Sequence, residues 1–197
     1  MDAKRAFDLA VGSVALVAAL PVLAAVRVAM RLSGDRGPFL YRAPRVGRGG
    51  APLTILKVRT MDDGAGGSRI TVADDPRVTP IGRSLRRLRI DELPQLVNVV
   101  RGEMSLVGPR PEDPRFVDPS EPLQRLVTSV RPGVTGPSQL AFIDEATRLA
   151  CPNPERRYRE EILPAKLAID AWYVRHRSFL VDMLILARTA RAIVGAT

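Results

Sequence analysis

The feature that most constrains this chain is an almost uninterrupted apolar run from Leu9 to Val26, broken only by Gly12, Ser13 and Pro21. As a helix it is close to the minimum length that crosses a bilayer. The plainest readings are a transmembrane anchor, or a cleaved signal peptide with Lys4 and Arg5 as its basic start and small residues near Ala24. Two further features point elsewhere. Pro21 lacks a backbone donor and clashes with the preceding turn, which predicts a break at Leu20 and Pro21. Basic residues flank both ends, Lys4 and Arg5 before and Arg27, Arg31 and Arg36 after, so both ends satisfy the rule for the cytoplasmic side. A re-entrant helix-break-helix over residues 1–33, entering the membrane and returning to the same face, meets both conditions. Its freed carbonyls need partners inside the membrane, where Ser13 is the only nearby hydroxyl.

Residues 34–197 are long enough for one core and no large second domain. They are read as one domain with membrane-associated amphipathic helices. Lysine and arginine number 30 against 21 acidic residues, a formal charge of +9, which calls for an anionic partner: nucleic acid, lipid headgroups or phosphorylated substrates. Nucleic acid is the poorest of these, because aromatics are only 5% of the chain, carboxylates interrupt the basic residues and no reading module is present. Cys151 is the single cysteine and His176 the single histidine, so neither an internal disulfide nor a soft metal cluster can be built. A metal here would be a hard ion on carboxylates, and Mg2+ suits phosphate chemistry.

Glycine, proline and arginine dominate residues 34–50, ahead of a short apolar stretch, Leu53 to Val58, that reads as a strand. Met61 to Gly67 reads as a surface loop, and turn character continues through Asp74, Asp75 and Pro76. Ile81 to Arg89 predicts a basic helix, and a second helical segment runs to Val100. Pro164 opens a long amphipathic stretch in which Ile169, Trp172, Phe179, Leu180, Met183, Leu184, Ala187 and Ile193 recur at three- and four-residue steps. The fold class is α+β, mainly α, with a small strand element and amphipathic surface helices.

Asp91 and Glu92 sit between the arginines at 86, 87 and 89 and a helix start marked by Pro94. As plain structure, Asp91 would cap that helix and Glu92 complement its dipole. As chemistry, a carboxylate kept ionised by cationic neighbours can attack phosphorus or hold Mg2+ once the phosphate charge is neutralised. Lys57 and Arg59 alternate with Leu56 and Val58, so a strand would project both cations from one face toward a diphosphate. Arg110 is pinned between Pro109 and Pro111, and a second punctuated loop runs from Arg131 to Pro137.

Taken in order, three stretches resemble the bacterial sugar transferase family, the monotopic phosphoglycosyl transferases that act on polyprenyl phosphate. They are Lys57-Val58-Arg59-Thr60-Met61, Asp91-Glu92-Leu93-Pro94-Gln95-Leu96-Val97-Asn98-Val99-Val100 and Gly102-Glu103-Met104-Ser105-Leu106-Val107-Gly108-Pro109-Arg110-Pro111. The later Asp170, Tyr173, Ser178, Asp182 and Thr189 add to the match, which spans nearly the whole chain. The resemblance implies Asp91 as the nucleophile that takes the phosphosugar and Glu92 as its partner in holding Mg2+. It implies Lys57, Arg59, Arg86 and Arg110 as phosphate-binding cations. Donor and acceptor would be a UDP-sugar and polyprenyl (undecaprenyl) phosphate. The place implied is the cytoplasmic face of the bacterial inner membrane, on an anionic lipid bilayer, with the re-entrant helix and its break at Pro21. The implied product begins assembly of exopolysaccharide, O-antigen, capsule or glycoprotein glycan. The chain resembles a minimal, catalytic-core version of the family. Val58, Ala43 and Pro137-Ser138 depart from the family's usual residues, which bears on the sugar more than on the aspartyl chemistry. The alternative from another class is a non-catalytic anchor or scaffold that uses the same basic face only to hold lipid.

Overall fold

The computed structural model describes residues 3–62 and 70–195; the predicted loop at Met61 to Gly67 lies mostly outside them. The chain opens with α1 (Ala3–Leu32), a single helix about 45 Å long at 1.5 Å per residue. The expected break is corrected here: the helix continues through Pro21. One missing donor removes only its own bond, to the carbonyl of Val17, and the remaining turns carry the helix past it. Along one stripe Asp8, Gly12, Ala19 and Met30 are buried, and Ala15, Leu16, Leu23 and Val26 pack beside them. These are three- and four-residue steps, the repeat of one helix face. The other face exposes Val11, Val14, Val17, Leu20, Val22, Val28 and Leu32. Only 11% of its most apolar window is covered by protein, so α1 is long and apolar enough to cross a membrane yet lies along the domain.

Next comes an antiparallel hairpin, β1 (Leu40–Val46) and β2 (Pro52–Val58), in which Leu40 pairs with Val58 and Val46 with Pro52. Leu53 and Ile55 point inward at the period of two that a half-buried strand requires. The basic helix α2 (Pro80–Arg87) is capped by Thr79, whose hydroxyl accepts from the Gly82 amide. A 3-10 turn (Ile90–Glu92) and α3 (Gln95–Arg101) follow. Then β3 (Ser105–Val107), α4 (Pro122–Thr128) and β4 (Gly133–Thr135) form a parallel pair joined by a crossover helix. That pairing unites the two proline- and glycine-rich loops. A Cβ on Gly133 would stand 2.1 Å from the Gly108 nitrogen, so the backbones meet where only glycine fits.

After α5 (Pro137–Ala141) and α6 (Glu145–Arg148), α7 (Pro154–Arg157) continues without interruption through a π turn (Tyr158–Ile162) into α8 (Leu163–His176). Pro164 therefore does not open the helix. It cannot donate to the preceding turn, and the wider π turn just before it absorbs the loss. Helix α9 (Phe179–Val194) closes the described chain. Its apolar periodicity is real, but Trp172, Phe179, Leu180 and Leu184 face outward. The side of α8 and α9 that packs inward carries Asp170, Tyr173, Asp182 and Ile185.

The core centres on Val99, Met104, Val107, Ala43 and Tyr173, with Ala19 of α1 as one wall. Gly12 permits the close approach of α1 and α3, since a Cβ there would lie 3.0 Å from Val99 Cγ1. Two buried carboxylates fasten the N-terminal end of α1. Asp8 accepts from the Ser105 hydroxyl at 2.8 Å, and Asp182 takes Lys4 at 2.5 Å and the Tyr173 hydroxyl at 2.6 Å.

Candidate active site

Lys57 is in the last turn of the β2 pattern, and Glu92 in the 3-10 turn, 35 residues on; they meet at 2.8 Å. Asn98 makes the meeting possible. It is fully buried, accepts from the Leu56 amide at 3.2 Å and donates to the Thr54 carbonyl at 2.8 Å, clipping α3 onto the edge of β2. Arg89 takes a left-handed conformation (φ 57°) between α2 and the turn, which reverses the chain and sets its guanidinium 3.8 Å from Glu92. Arg86 is oriented by the Thr60 hydroxyl at 2.8 Å. Thr60 in turn fits tightly against Gly82, where a Cβ would fall 2.3 Å from the Thr60 carbonyl oxygen.

Asp91 is buried, and its Oδ1 has no hydrogen-bond partner among the described residues. It does not cap α3: Pro94 holds the cap position, with no side-chain cap bond. Burial raises its carboxyl above the usual range, Lys57, Arg86 and Arg89 pull it back, and Glu92 adds to the rise. For Glu92, burial also pushes upward, but Lys57, Arg110 and Arg89 overcome it and hold the carboxyl at about 2. One carboxylate is thus tightly ionised and the other is an unsatisfied oxygen facing cations. Among the described residues there is no cluster of three metal-ligating side chains. Two adjacent carboxylates still fit Mg2+, which keeps waters and takes further ligands from substrate phosphates.

Arg110 carries no hydrogen bond or ion pair on its guanidinium among the described residues. Burial lowers its proton affinity, but Glu145, Glu92 and Glu112 together raise it. An uncommitted arginine among carboxylates is available to a phosphate. Arg59 stands apart from this group. Strand β2 ends at Val58, and Arg59 bonds Asp35, the Pro38 carbonyl at 2.9 Å and the Met61 carbonyl at 3.1 Å, tying the segment after α1 to the hairpin. Arg87 is exposed.

Behind Arg110 lies a cluster that sequence reasoning missed. Lys166 is 2% exposed and reaches Glu145 at 2.9 Å, Tyr158 at 3.1 Å and Glu112 at 3.2 Å, while the Tyr158 hydroxyl donates to Glu112 at 2.6 Å. The eight-residue spacing of Tyr158 and Lys166 on one helical run was the available signal; Glu112 comes from a distant loop and Glu145 from the start of α6. Asp170 completes the support by accepting from the Ser138 hydroxyl at 2.8 Å and the Arg110 amide at 3.4 Å.

Burial pushes the Asp170 carboxyl up to about 6, against the lowering effect of Ser138 and the Arg110 amide. A carboxyl whose folded pKa is raised binds more protons folded than unfolded, so stability falls as pH rises from about 4 to about 6. Asp170→Asn keeps both acceptor contacts and removes the charge. The variant is expected to lose this slope, gaining on the order of 1–3 kcal/mol over wild type above pH 6, as read by denaturant titrations at several pH values. Glu92 acts in the opposite sense and lower, its contribution being lost only as pH falls toward about 2.

The bacterial sugar transferase profile matches residues 1–196. The chain belongs to that family. An undecaprenyl-phosphate glucose phosphotransferase of Komagataeibacter xylinus is 38% identical over 95% of the chain and 35% of its own length. A UDP-N-acetylgalactosamine-undecaprenyl-phosphate N-acetylgalactosaminephosphotransferase of Aeromonas hydrophila is 34% identical over 97% of the chain and 43% of its own. A UDP-glucose:undecaprenyl-phosphate glucose-1-phosphate transferase of Caulobacter vibrioides is 36% identical over 97% and 69%. The chain therefore spans less than half of the first two sugar transferases and about two thirds of the third.

Proposed function

We propose that this sugar transferase moves a sugar 1-phosphate from a UDP-sugar to a polyprenyl phosphate such as undecaprenyl phosphate, through a covalent intermediate on Asp91. The observation that carries the reading is the buried, unpartnered Asp91 Oδ1 ringed by Lys57, Arg86 and Arg89. In the first half-reaction an Asp91 oxygen forms a bond to the phosphorus that bears the sugar. The bond from that phosphorus to the bridging oxygen breaks, and uridine monophosphate leaves with the electron pair. In the second, an oxygen of the polyprenyl phosphate attacks the same phosphorus, the acyl phosphate bond breaks and the Asp91 carboxylate is restored. Lys57, Arg86 and Arg110 offset the charge of the phosphates, without which an anionic nucleophile would be repelled. Asp91 and Glu92 would hold Mg2+, which supplies charge neutralisation of the diphosphate when bound. The product would begin assembly of a glycoconjugate such as exopolysaccharide.

The same reading sets the chain on the cytoplasmic face of the inner membrane. Both ends of α1 engage one domain, Lys4 through Asp182 and Met30 through the pocket of Val58 and Leu85. A helix whose two ends hold the same domain has both ends on one side of the membrane, and an unbroken helix so held lies along the membrane face with its exposed apolar side left to lipid.

The test is release of uridine monophosphate from a panel of UDP-sugars by purified protein with Mg2+ and polyprenyl phosphate. Release with one or two sugars, matched by a lipid-linked diphosphate sugar, is the expected result, and the panel names the sugar. Absence of release from every donor by protein that stays folded would favour a basic membrane scaffold instead.

A further inference from the structure

We infer that a basic cavity at the N-terminal end of α1 binds the phosphate of an anionic phospholipid headgroup, at a site separate from Asp91. The cavity measures about 100 Å³ and is lined by Lys4, Arg5, Arg48, Arg131 and Arg177, with Asp8 as its one lining carboxylate. A single water needs only roughly 10–15 Å³ on that measure, so the space admits a larger polar group.

The charges are arranged for an anion. Arg5 donates to the Val99 and Val100 carbonyls at 2.6 and 2.8 Å, Arg131 to the Gly102 carbonyl at 2.8 Å and Arg48 to the Ser129 carbonyl at 3.3 Å. For Arg48 and Arg131 the acceptor is a neutral carbonyl, so the bond fixes the guanidinium in place without cancelling its charge. Arg177 has no hydrogen bond or ion pair among the described residues. Lys4 is paired with Asp182, and both Asp8 oxygens are turned inward to the Ser105 hydroxyl and the Leu106 amide. Among the described residues, Arg48, Arg131 and Arg177 thus line the cavity with no carboxylate paired to them. Arginines held this way keep further N–H groups for a phosphate and lose little freedom on binding it.

The rim selects a lipid over a soluble anion. Arg177 is followed by Ser178 and then by the exposed Phe179 and Leu180, which are 61% and 68% accessible. Phe179 meets Phe7 of α1 edge to face at 5.3 Å, so the apolar face of α1 runs to the same edge. A headgroup phosphate in the cavity would place its acyl chains along these side chains. The charges that act on Asp91 and Glu92 are Lys57, Arg86, Arg89 and Arg110, none of which lines the cavity. Headgroup binding is therefore separable from the transfer reaction.

Trp172, the single tryptophan, lies on α8 just before Tyr173 of the cavity wall and serves as the probe. Full-length protein in neutral detergent micelles is titrated with phosphatidylglycerol, with phosphatidylcholine and with inorganic phosphate, following Trp172 fluorescence. Saturable binding of phosphatidylglycerol is expected, weakened about fivefold by Arg177→Gln. Arg156→Gln, which removes an exposed cation on α7 outside the cavity, is expected to leave it unchanged. Equal binding of phosphatidylcholine, or equal weakening by both variants, would overturn the site. Binding of inorganic phosphate as tight as that of phosphatidylglycerol would overturn the headgroup assignment. Because Arg177 has no hydrogen bond or ion pair among the described residues, an unchanged thermal midpoint separates loss of binding from loss of structure.

Discussion

Asp91→Asn is expected to lower uridine monophosphate release by roughly 10³–10⁴-fold or more while leaving the protein as stable as wild type or more so. The two halves of this expectation have one cause. Asp91 is buried with an oxygen that finds no partner among the described residues, which is unfavourable for a charge and useful for a nucleophile. Asparagine has nearly the same shape, removes the charge and cannot form the acyl phosphate. A merely structural Asp91, capping a helix or anchoring a loop, would show the reverse: lower stability and retained turnover. The measurement pairs turnover with a thermal melt of the same preparation. Turnover within about tenfold of wild type would remove Asp91 from the covalent step.

Lys166→Met is expected to destabilise the fold by about 3–5 kcal/mol, the range for removing one partner of a buried ion pair. The side chain is 2% exposed, and its ammonium answers Glu112, Glu145 and the Tyr158 hydroxyl. Methionine fills much of the volume but leaves Glu112 and Glu145 without the ammonium that bonds both. In a chain of this size the melting midpoint should fall by roughly 6–20 °C. Combining Lys166→Met with Glu145→Gln removes one of the stranded charges and is expected to recover part of the loss. A loss under about 1 kcal/mol would mean that water replaces the lysine and that the cluster is not sealed. The cluster also lies against the element that presents Arg110, since Glu112 follows it by two residues and Asp170 of α8 holds its amide.

The correspondence between pattern and fold was strong where the signal is local. A short apolar stretch marked β2, the basic run from Ile81 marked α2, and three- and four-residue steps marked α8 and α9. It failed where a local rule met a tertiary contact. Pro21 and Pro164 both signal a helix boundary, yet both lie inside continuous helical runs, because one lost bond is small beside the packing of either helix. Alternation set Arg59 on the face of Lys57, but the strand ends one residue earlier and Asp35 draws the guanidinium away.

By itself the sequence determined the apolar segment that seeks a membrane, the adjacent carboxylates with their arginines, and the family to which their order belongs. Each is a property of neighbours along the chain. The tertiary structure alone decided that Lys57 meets Glu92, that α1 lies unbroken along the domain, and that Lys166 gathers partners from three separate segments. Those outcomes depend on contacts between residues tens of positions apart, which become favourable only when burial strips charges and backbone groups of water and leaves them only each other as partners.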